Sequence, residues 1–273
     1  LLVALIAVVG RAQPAAAQDY GTANLPTAEP WQSPRVLVSG EARFWEGNQT
    51  WAARARTRVG QDLDAELTLF TMSISGEDPI AGAVRASDAT LLGANFKWLA
   101  RRNERVTISV ITGLEAPLGD MEGTNTAIPA TAITDDVIPV FSVPAQFAPI
   151  GGVVPTAVLR YVGFEESPRV TGGGTIPGFG DTLALGGSAY YRARDFALWA
   201  DLQFVLTGNN TIDERTNRVT DEIVWSAGVS WFSTENWKVD LFATTAAGPT
   251  AATSLLGAPD NSVAIGIGAS GEF

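Results

Sequence analysis

Three arginines, Arg54, Arg56 and Arg58, stand at every second position of the segment WAARARTRVG, residues 51–60. The positions that alternate with them hold apolar or small residues. Because successive side chains of a β-strand point to opposite faces, this spacing places the three guanidinium groups on one face of a strand. Such a row can form ion pairs, either with carboxylates of the same sheet or with anionic solutes.

Carboxylates on the flanking segments are one set of partners for this row. If the preceding segment folds back around the turn GNQT, Glu41 lies opposite Arg56. If the following segment folds back around QDLD, Glu66 lies opposite Arg58. Opposite charges that face each other across two strands stabilise a sheet by roughly 0.2–1 kcal/mol per pair. On this interpretation the row belongs to a lattice of ion pairs that stiffens the sheet.

The alternative interpretation is a basic stripe that attracts anionic solutes, as charged rings do in selective pores. Arg43 and Arg54 have no carboxylate opposite them in the predicted register, so we expect these two residues to contact a solute. Both interpretations use the same ladder of charges: Glu41, Arg43, Arg54, Arg56, Arg58 and Glu66.

The composition argues against several classes of function. The chain has 273 residues, a net charge of −11, and neither Cys nor His. An acidic chain is a poor partner for nucleic acid. Without Cys or His, a zinc site is not expected and a Ser-His-Asp triad is impossible. Hydrolysis by carboxylates alone needs two acids at a cleft, and no such pair stands out, so we expect neither catalysis nor a cofactor.

The first residues resemble an export signal. Residues 1–9 form an apolar run, and the small residues 15–17 follow it as a cleavage site would. The run is too short to span a membrane, which takes about 20 apolar residues. We therefore interpret residues 1–17 as a signal peptide rather than an N-terminal anchor, and residues 18–34 as a periplasmic N-terminal segment.

Alternation with a period of two recurs in short segments along the rest of the chain. In residues 195–207, for example, Leu198, Leu202 and Phe204 lie on the face opposite to Asp201. A soluble β-sandwich would turn the apolar face inward, whereas a transmembrane β-barrel turns it outward to lipid. Aromatic residues near strand ends, connections that alternate between short and long, and an amphipathic C-terminal strand favour the barrel.

Eleven segments show the alternation, and the topology requires one more strand. With the short turns on one side, the strands before and after residues 166–180 would otherwise run in the same direction. A twelfth strand is therefore predicted between 166 and 180, where Pro168 and Pro177 make it short or irregular. The predicted fold is all-β: a transmembrane, antiparallel, up-and-down β-barrel of about 12 strands over residues 35–273.

The C-terminal strand, which closes on Phe273, resembles the C-terminal signature of bacterial outer-membrane proteins. This resemblance implies an outer-membrane location, the lipid bilayer as a partner, and Phe273 as an assembly signal recognised by the barrel-assembly machinery. Residues 87–120 are similar to a stretch of the transporter-like barrels of the phenol meta-pathway family, although Ser87-Asp88 and APLGD depart from that family's order. That similarity implies apolar or aromatic solutes, whereas the arginines indicate anions. Aromatic acids would satisfy both.

The longest predicted connection, the loop of residues 116–155, holds six prolines and many apolar residues. An apolar loop of this length needs a surface to bury against, and such loops are often functional. One interpretation is a constriction that folds into the mouth of the barrel, with Val140, Phe141 and Phe147 as its candidate residues. The other is an external cap.

The sequence thus predicts an outer-membrane barrel that mediates passive passage of small-molecule solutes, anionic or aromatic. Two alternatives stay open: a non-conducting barrel with a structural or envelope-interaction role, and a soluble exported β-sandwich.

Overall fold

A computed structural model of the chain describes residues 22–273 except 32, 34, 46–47, 75–88, 119–136, 165–168, 172–173, 177, 214–217, 235 and 259–261. The predicted signal peptide, residues 1–17, lies outside this described part. The regular structure of the described residues is β-strand, and no helix among them is long and apolar enough to cross a membrane. The strands are β1 (Leu37–Trp45), β2 (Asn48–Arg58), β3 (Leu63–Ile74), β4 (Ala89–Arg102), β5 (Val106–Pro117), β6 (Ile138–Phe147), β7 (Val153–Gly163), β8 (Arg169–Thr171), β9 (Gly174–Ile176), β10 (Asp181–Ala193), β11 (Phe196–Thr207), β12 (Thr211–Asp213), β13 (Arg218–Thr220), β14 (Val224–Thr234), β15 (Trp237–Thr244) and β16 (Ala264–Glu272).

Twelve of these strands form one closed antiparallel barrel, and the other four form two small hairpins, β8–β9 and β12–β13. Strands that follow one another in the chain are neighbours in the wall, and the barrel closes where β1 pairs with β16. The predicted all-β, up-and-down barrel of about 12 strands is therefore confirmed. Closure leaves no free sheet edge, so the backbone polar groups of the wall pair with one another, as a bilayer requires.

The twelfth strand is not where the sequence placed it. The described residues of 166–180 contribute the hairpin β8–β9 and no wall strand, and the wall strand is β6, inside the predicted loop 116–155. Pro144 argued against a strand here, because proline cannot donate to a ladder. The structure accommodates this proline at a gap in the β5–β6 pairing, which stops at Ala145 and resumes at Ser142. The prediction of a continuous loop over 116–155 is wrong.

The two faces of the wall differ sharply in polarity. Leu198, Leu202 and Phe204 on the outer face of β11 are 49%, 40% and 42% exposed. Asp201 and Gln203, which alternate with them, are buried inside the barrel. A soluble β-sandwich would show the reverse arrangement, so this prediction is excluded. Such an apolar outer surface is stable only against hydrocarbon.

The connections divide the barrel ends into two kinds. We call the end that carries the start of β1, the end of β16 and the connections 59–62, 103–105, 148–152, 194–195 and 235–236 the tight-turn rim. The opposite end, which carries the longer connections between β3 and β4 and between β5 and β6, is the long-loop rim. At the tight-turn rim, Val36 and Phe273 exchange two backbone hydrogen bonds of 3.2 and 3.0 Å, which extend the closure to the last residue.

A charge on the outer face of β11 tests the lipid assignment. We expect Leu202→Lys, in the middle of the strand, to lower the free energy of unfolding in lipid vesicles by about 2–4 kcal/mol, because a midplane lysine must enter hydrocarbon. Leu206→Lys, on the same face near the rim, is the matched control and should cost about 0–1 kcal/mol. Equal losses for the two variants in urea titrations would contradict the assignment.

Candidate functional site

Two parts of the chain fill the lumen, and both are irregular segments rather than wall strands. The N-terminal segment, residues 22–31, lies inside the barrel, with Asn24, Leu25 and Ala28 at most 4% exposed. The inner loop, residues 245–258 between β15 and β16, is buried over almost its whole length. The expectation that residues 18–34 lie in the periplasm is therefore corrected for 22–31, because these residues lie inside the barrel.

Side chains anchor the N-terminal segment from the middle of the lumen to the tight-turn rim. At the inner end, Asn24 Nδ2 donates to Asp201 Oδ1 at 3.2 Å and to Thr244 Oγ1 at 3.1 Å. Further along, Thr27 Oγ1 donates to Gln146 Oε1 at 2.6 Å. These bonds replace the water that buried polar groups would otherwise need.

Leu25 of the same segment packs against a glycine of the wall. A Cβ atom built on Gly186 of β10 would stand 2.8 Å from Leu25 Cδ2. Glycine at this wall position therefore provides the room in which the leucine side chain sits.

The inner loop folds on itself and is held by polar side chains of the wall. Thr250 Oγ1 and the Ala252 N–H both donate to the carboxylate of Glu115, at 2.6 and 2.9 Å. On the far side, Gln203 Nε2 donates to the Ser254 carbonyl at 2.8 Å. The apolar residues of the inner loop, among them Leu255 and Leu256, pack against the inner face of β6 and β7 near the long-loop rim. The wall residues of this cluster include Ile138, Val140 and Val162.

The predicted constriction residues therefore belong to the wall. Val140 faces inward and is 2% exposed, whereas Phe141 and Phe147 face outward at 43% and 44% exposure. Their assignment to a constriction loop is wrong, because they lie on β6. The segments that narrow the lumen are 22–31 and 245–258.

Two buried arginines bind both lumen segments at once. Arg43, with no exposed surface, donates from Nη2 to the Ala23 carbonyl and from Nη1 to the Ala246 carbonyl, each at 3.2 Å. Arg160 donates from Nη2 to the Asn24 carbonyl at 3.2 Å. Its Nη1 donates to Ser254 Oγ at 2.8 Å and to the Ala251 carbonyl at 3.3 Å. Each arginine thus joins the N-terminal segment to the inner loop.

The charge ladder faces the lumen, but its pairing differs from the prediction. Glu66 lies opposite Arg56 rather than Arg58, with a contact of 2.6 Å between Glu66 Oε2 and Arg56 Nη2. Glu41 lies opposite Ala52 rather than Arg56. The lengths of the connections are responsible. The pairing of β1 with β2 continues to Trp45 and Asn48, so the register differs from that of a GNQT turn.

The expectation that Arg43 and Arg54 lack a carboxylate is also wrong. Glu41 Oε1 accepts from Arg43 Nε at 2.6 Å, and its Oε2 lies 3.6 Å from Arg54 Nη2. Arg54 also donates to the Pro249 carbonyl of the inner loop. Arg58 donates to the carbonyls of Gly60 and Gln61 at the tight-turn rim.

A cavity of about 210 Å³ remains between the two lumen segments and the wall. It is bounded on one side by Arg54, Arg56 and Glu66 and on another by Lys238 and Asp240. Five aromatic side chains also line it: Trp31, Trp199, Phe232, Trp237 and Phe242. The remaining lumen space therefore offers both charged and aromatic contacts to a small molecule.

One feature of the sequence could have indicated the lumen segments. Residues 241–259 contain no charged residue and consist largely of Ala, Thr, Gly, Ser and Leu. An external loop is usually polar and charged, whereas a segment that must fit inside a narrow barrel needs small side chains. The run 22–28, TANLPTA, has the same character.

The double contacts of Arg160 predict that the two lumen segments loosen together. We expect Arg160→Met to accelerate amide hydrogen exchange in residues 22–31 and in 245–258 by about tenfold or more, because charged hydrogen bonds contribute about 1.5–3 kcal/mol. Lys97→Met is the matched control, since Lys97 Nζ donates to the Glu29 carbonyl at 3.0 Å. Its effect should stay within the N-terminal segment. Faster exchange in only one segment of Arg160→Met would contradict the coupling.

No protein-family model matches the chain, and no curated protein matches it in sequence. The similarity to the phenol meta-pathway barrels therefore stays a hypothesis. Three solved structures share the shape of the chain. An outer membrane channel from Pseudomonas putida F1 superposes with a TM-score of 0.56 at 13% identity, covering 91% of this chain and 97% of that one.

The other two structures are porins. The KdgM porin in complex with disordered oligogalacturonate gives a TM-score of 0.51 at 11% identity and covers 87% of this chain and 99% of the porin. The NanC porin gives 0.51 at 9% identity and covers 87% of this chain and 100% of the porin. At these identities the likeness concerns the fold. The chain has the fold of the bacterial outer-membrane β-barrel channels and porins.

Proposed function

We propose that the chain is an outer-membrane channel for passive passage of small solutes, and that the arrangement with both lumen segments inside is its closed state. The observation that carries the proposal is the nature of the lumen filling. Small closed barrels fill their interior with side chains of the strands. Here two irregular segments do so. Residues 22–31 are joined to β1 through residues 32–36 and are held by side-chain contacts. The inner loop is held by side-chain contacts, by its two ends, and by backbone hydrogen bonds of Thr245 and Gly257 close to those ends. Each segment is therefore able to move as a unit.

The solutes that we propose are small anions, with aromatic acids as the best match. Two guanidinium groups, those of Arg43 and Arg54, share the single carboxylate of Glu41. This part of the wall therefore has an excess of positive charge. Trp237 and Phe242 line the same cavity and offer aromatic surface. An aromatic carboxylate would use both kinds of contact.

A second candidate function is a permanently closed barrel with a structural or envelope-interaction role. The full burial of Arg43 favours it, because removing either lumen segment leaves this guanidinium group with fewer partners. The two candidates differ in one measurable property, which is ion conductance.

We also propose that the C-terminal strand is recognised by the barrel-assembly machinery. Phe273 is 66% exposed and packs edge-to-face on Trp237, with 5.5 Å between the ring centroids. An exposed terminal aromatic on the closing strand is accessible to a partner before the barrel closes. This supports the assembly signal that the sequence predicts.

Opening the lumen from the N-terminal side tests the channel. Leu25→Asp together with Ala28→Asp places two carboxylates at buried positions, so the segment should leave the lumen. In planar bilayers we expect discrete conductance steps that are larger or more frequent than those of the unchanged chain. Gln61→Asp with Asn103→Asp, at exposed positions of the tight-turn rim, adds the same charge as a control. A silent Leu25→Asp/Ala28→Asp variant that folds normally would favour the permanently closed barrel.

The ion preference of the opened variant tests the solute class. We expect it to conduct anions better than cations, and the further changes Arg54→Glu and Arg56→Glu to reverse this preference, because they replace two wall cations by carboxylates. Arg101→Glu with Arg105→Glu makes the same change in net charge at exposed positions outside the lumen. Reversal potentials in a salt gradient provide the measurement. If the Arg54→Glu/Arg56→Glu pair and the Arg101→Glu/Arg105→Glu pair changed the ion preference by the same amount, the anion proposal would be overturned.

A further inference from the structure

The main chain of the N-terminal segment is bound by side chains of the wall rather than by a strand. Residues 22–31 form no ladder with any described strand. A buried main chain without a ladder must find other hydrogen-bond partners. Some of these partners lie within the segment, as in the bond from the Thr22 N–H to the Leu25 carbonyl. The wall supplies six others, and it does so with the polarity that each main-chain group requires.

Basic side chains and a hydroxyl group of the wall donate to the carbonyl groups of the segment. Arg43 of β1 donates to the Ala23 carbonyl and Arg160 of β7 to the Asn24 carbonyl, each at 3.2 Å. Nearer the tight-turn rim, the wall donors are Ser109 of β5, at 2.5 Å from the Ala28 carbonyl, and Lys97 of β4, at 3.0 Å from the Glu29 carbonyl.

Acidic side chains of the wall accept from the amide groups of the segment. Asp64 Oδ2 of β3 accepts from the Trp31 N–H at 2.5 Å. Asp201 Oδ2 of β11 accepts from the Asn24 N–H at 3.4 Å. The six wall residues lie on six different strands, so the main chain is contacted from around the lumen and not from one side only.

We propose that this part of the lumen is a peptide-binding site, that the N-terminal segment is its resident ligand, and that the same sequence supplied as a separate peptide binds there. The proposal rests on the proposed function in one respect: a bound peptide blocks the channel only if the channel conducts. Binding itself requires no conductance. The N-terminal segment is thus a tethered, dissociable blocker.

Side chains of the segment give the site its sequence preference. Leu25 fits beside Gly186, where no Cβ occupies the space. Asn24 and Thr27 bind the wall through their side chains. A peptide of unrelated sequence would keep the main-chain contacts but lose these, so the site distinguishes its own segment from other peptides.

The tether sets the conditions of the test. Only residues 32–36 separate the segment from β1, so the effective concentration of the attached segment is of the order of millimolar or above. A free peptide competes poorly against such a tether. The full chain with Leu25→Asp and Ala28→Asp, in which the attached segment is expelled and every wall residue is unchanged, offers the site to an added peptide.

The test is the binding of a fluorescent peptide of sequence TANLPTAEPW, residues 22–31 with blocked ends, to this variant in detergent. We expect saturable binding by fluorescence anisotropy. The same peptide with Leu25→Asp and Ala28→Asp should bind at least about tenfold more weakly. In the wall, Lys97→Met should weaken binding by about tenfold, because a charged hydrogen bond is lost. Arg105→Met is the matched control and should leave binding unchanged, since it removes one positive charge at an exposed position outside the lumen.

Conductance provides a second measurement, and the two results separate the two proposals. Peptide added at the tight-turn side should block the opened variant, and the double-Asp peptide should not. Saturable binding that depends on Lys97, without conductance in any variant, would support the peptide site and overturn the channel. Conductance without peptide binding would overturn the peptide site and leave the channel in place.

If the Leu25→Asp/Ala28→Asp variant fails to fold, a single substitution in the otherwise unchanged chain tests the same proposal. Thr27→Cys introduces a single thiol at a position that is 3% exposed. We expect millimolar peptide to accelerate the reaction of this thiol with a maleimide, because the peptide holds the site while the attached segment is out. A labelling rate that is the same with the native and the double-Asp peptide would overturn the peptide site.

Discussion

The filling of the lumen depends on two buried guanidinium groups, which donate hydrogen bonds to main-chain carbonyls instead of to water. Arg43 and Arg160 each receive acceptors from the N-terminal segment and from the inner loop. A buried charge that loses its partners costs about 3–5 kcal/mol. Removal of either segment therefore weakens the hold on the other, because the arginine that they share loses part of its coordination. The two segments consequently act as one closure.

The barrel wall is organised so that this closure is possible. In lipid, the outer face of every strand must be apolar, and the polar residues of the sequence are thus forced inward. Some of the ionised groups that the barrel encloses pair across the wall, as Arg56 and Glu66 do. Others also bind the inserted chain: Arg160 donates to the Asn24 carbonyl, and Lys97, which lies opposite Asp64, donates to the Glu29 carbonyl. Because the bilayer forces charged side chains into the lumen, these side chains need hydrogen-bond acceptors there.

The sequence predicted those features that depend only on which face of a strand each residue occupies. Period-two alternation indicated eleven strands, and the direction of the strands required a twelfth. Aromatic strand ends and alternating connection lengths then favoured a barrel over a sandwich. Alternation does not determine register, because register depends on turn length. The pairing of β1 and β2 continues to Trp45 and Asn48, and this moves the partner of Glu41 from Arg56 to Ala52. This shift is even, so Glu41 still points into the lumen. β6 was missed because Pro144 lies at a gap in its ladder, and the inner loop was missed because no local periodicity distinguishes an inserted loop from a projecting one.

The kind of acceptor that the lumen segments offer bears on whether the closure is reversible. A peptide carbonyl is neutral, and a hydrogen bond from a guanidinium or ammonium group to it is weaker than one to a carboxylate. Arg160 and Lys97 therefore hold the closure through many moderate bonds rather than a few strong ones. A carboxylate that enters the cavity would gain more from each of these cations than the segment does. On the proposed function, the wall combines a stable closure with a preference for the anion that displaces it.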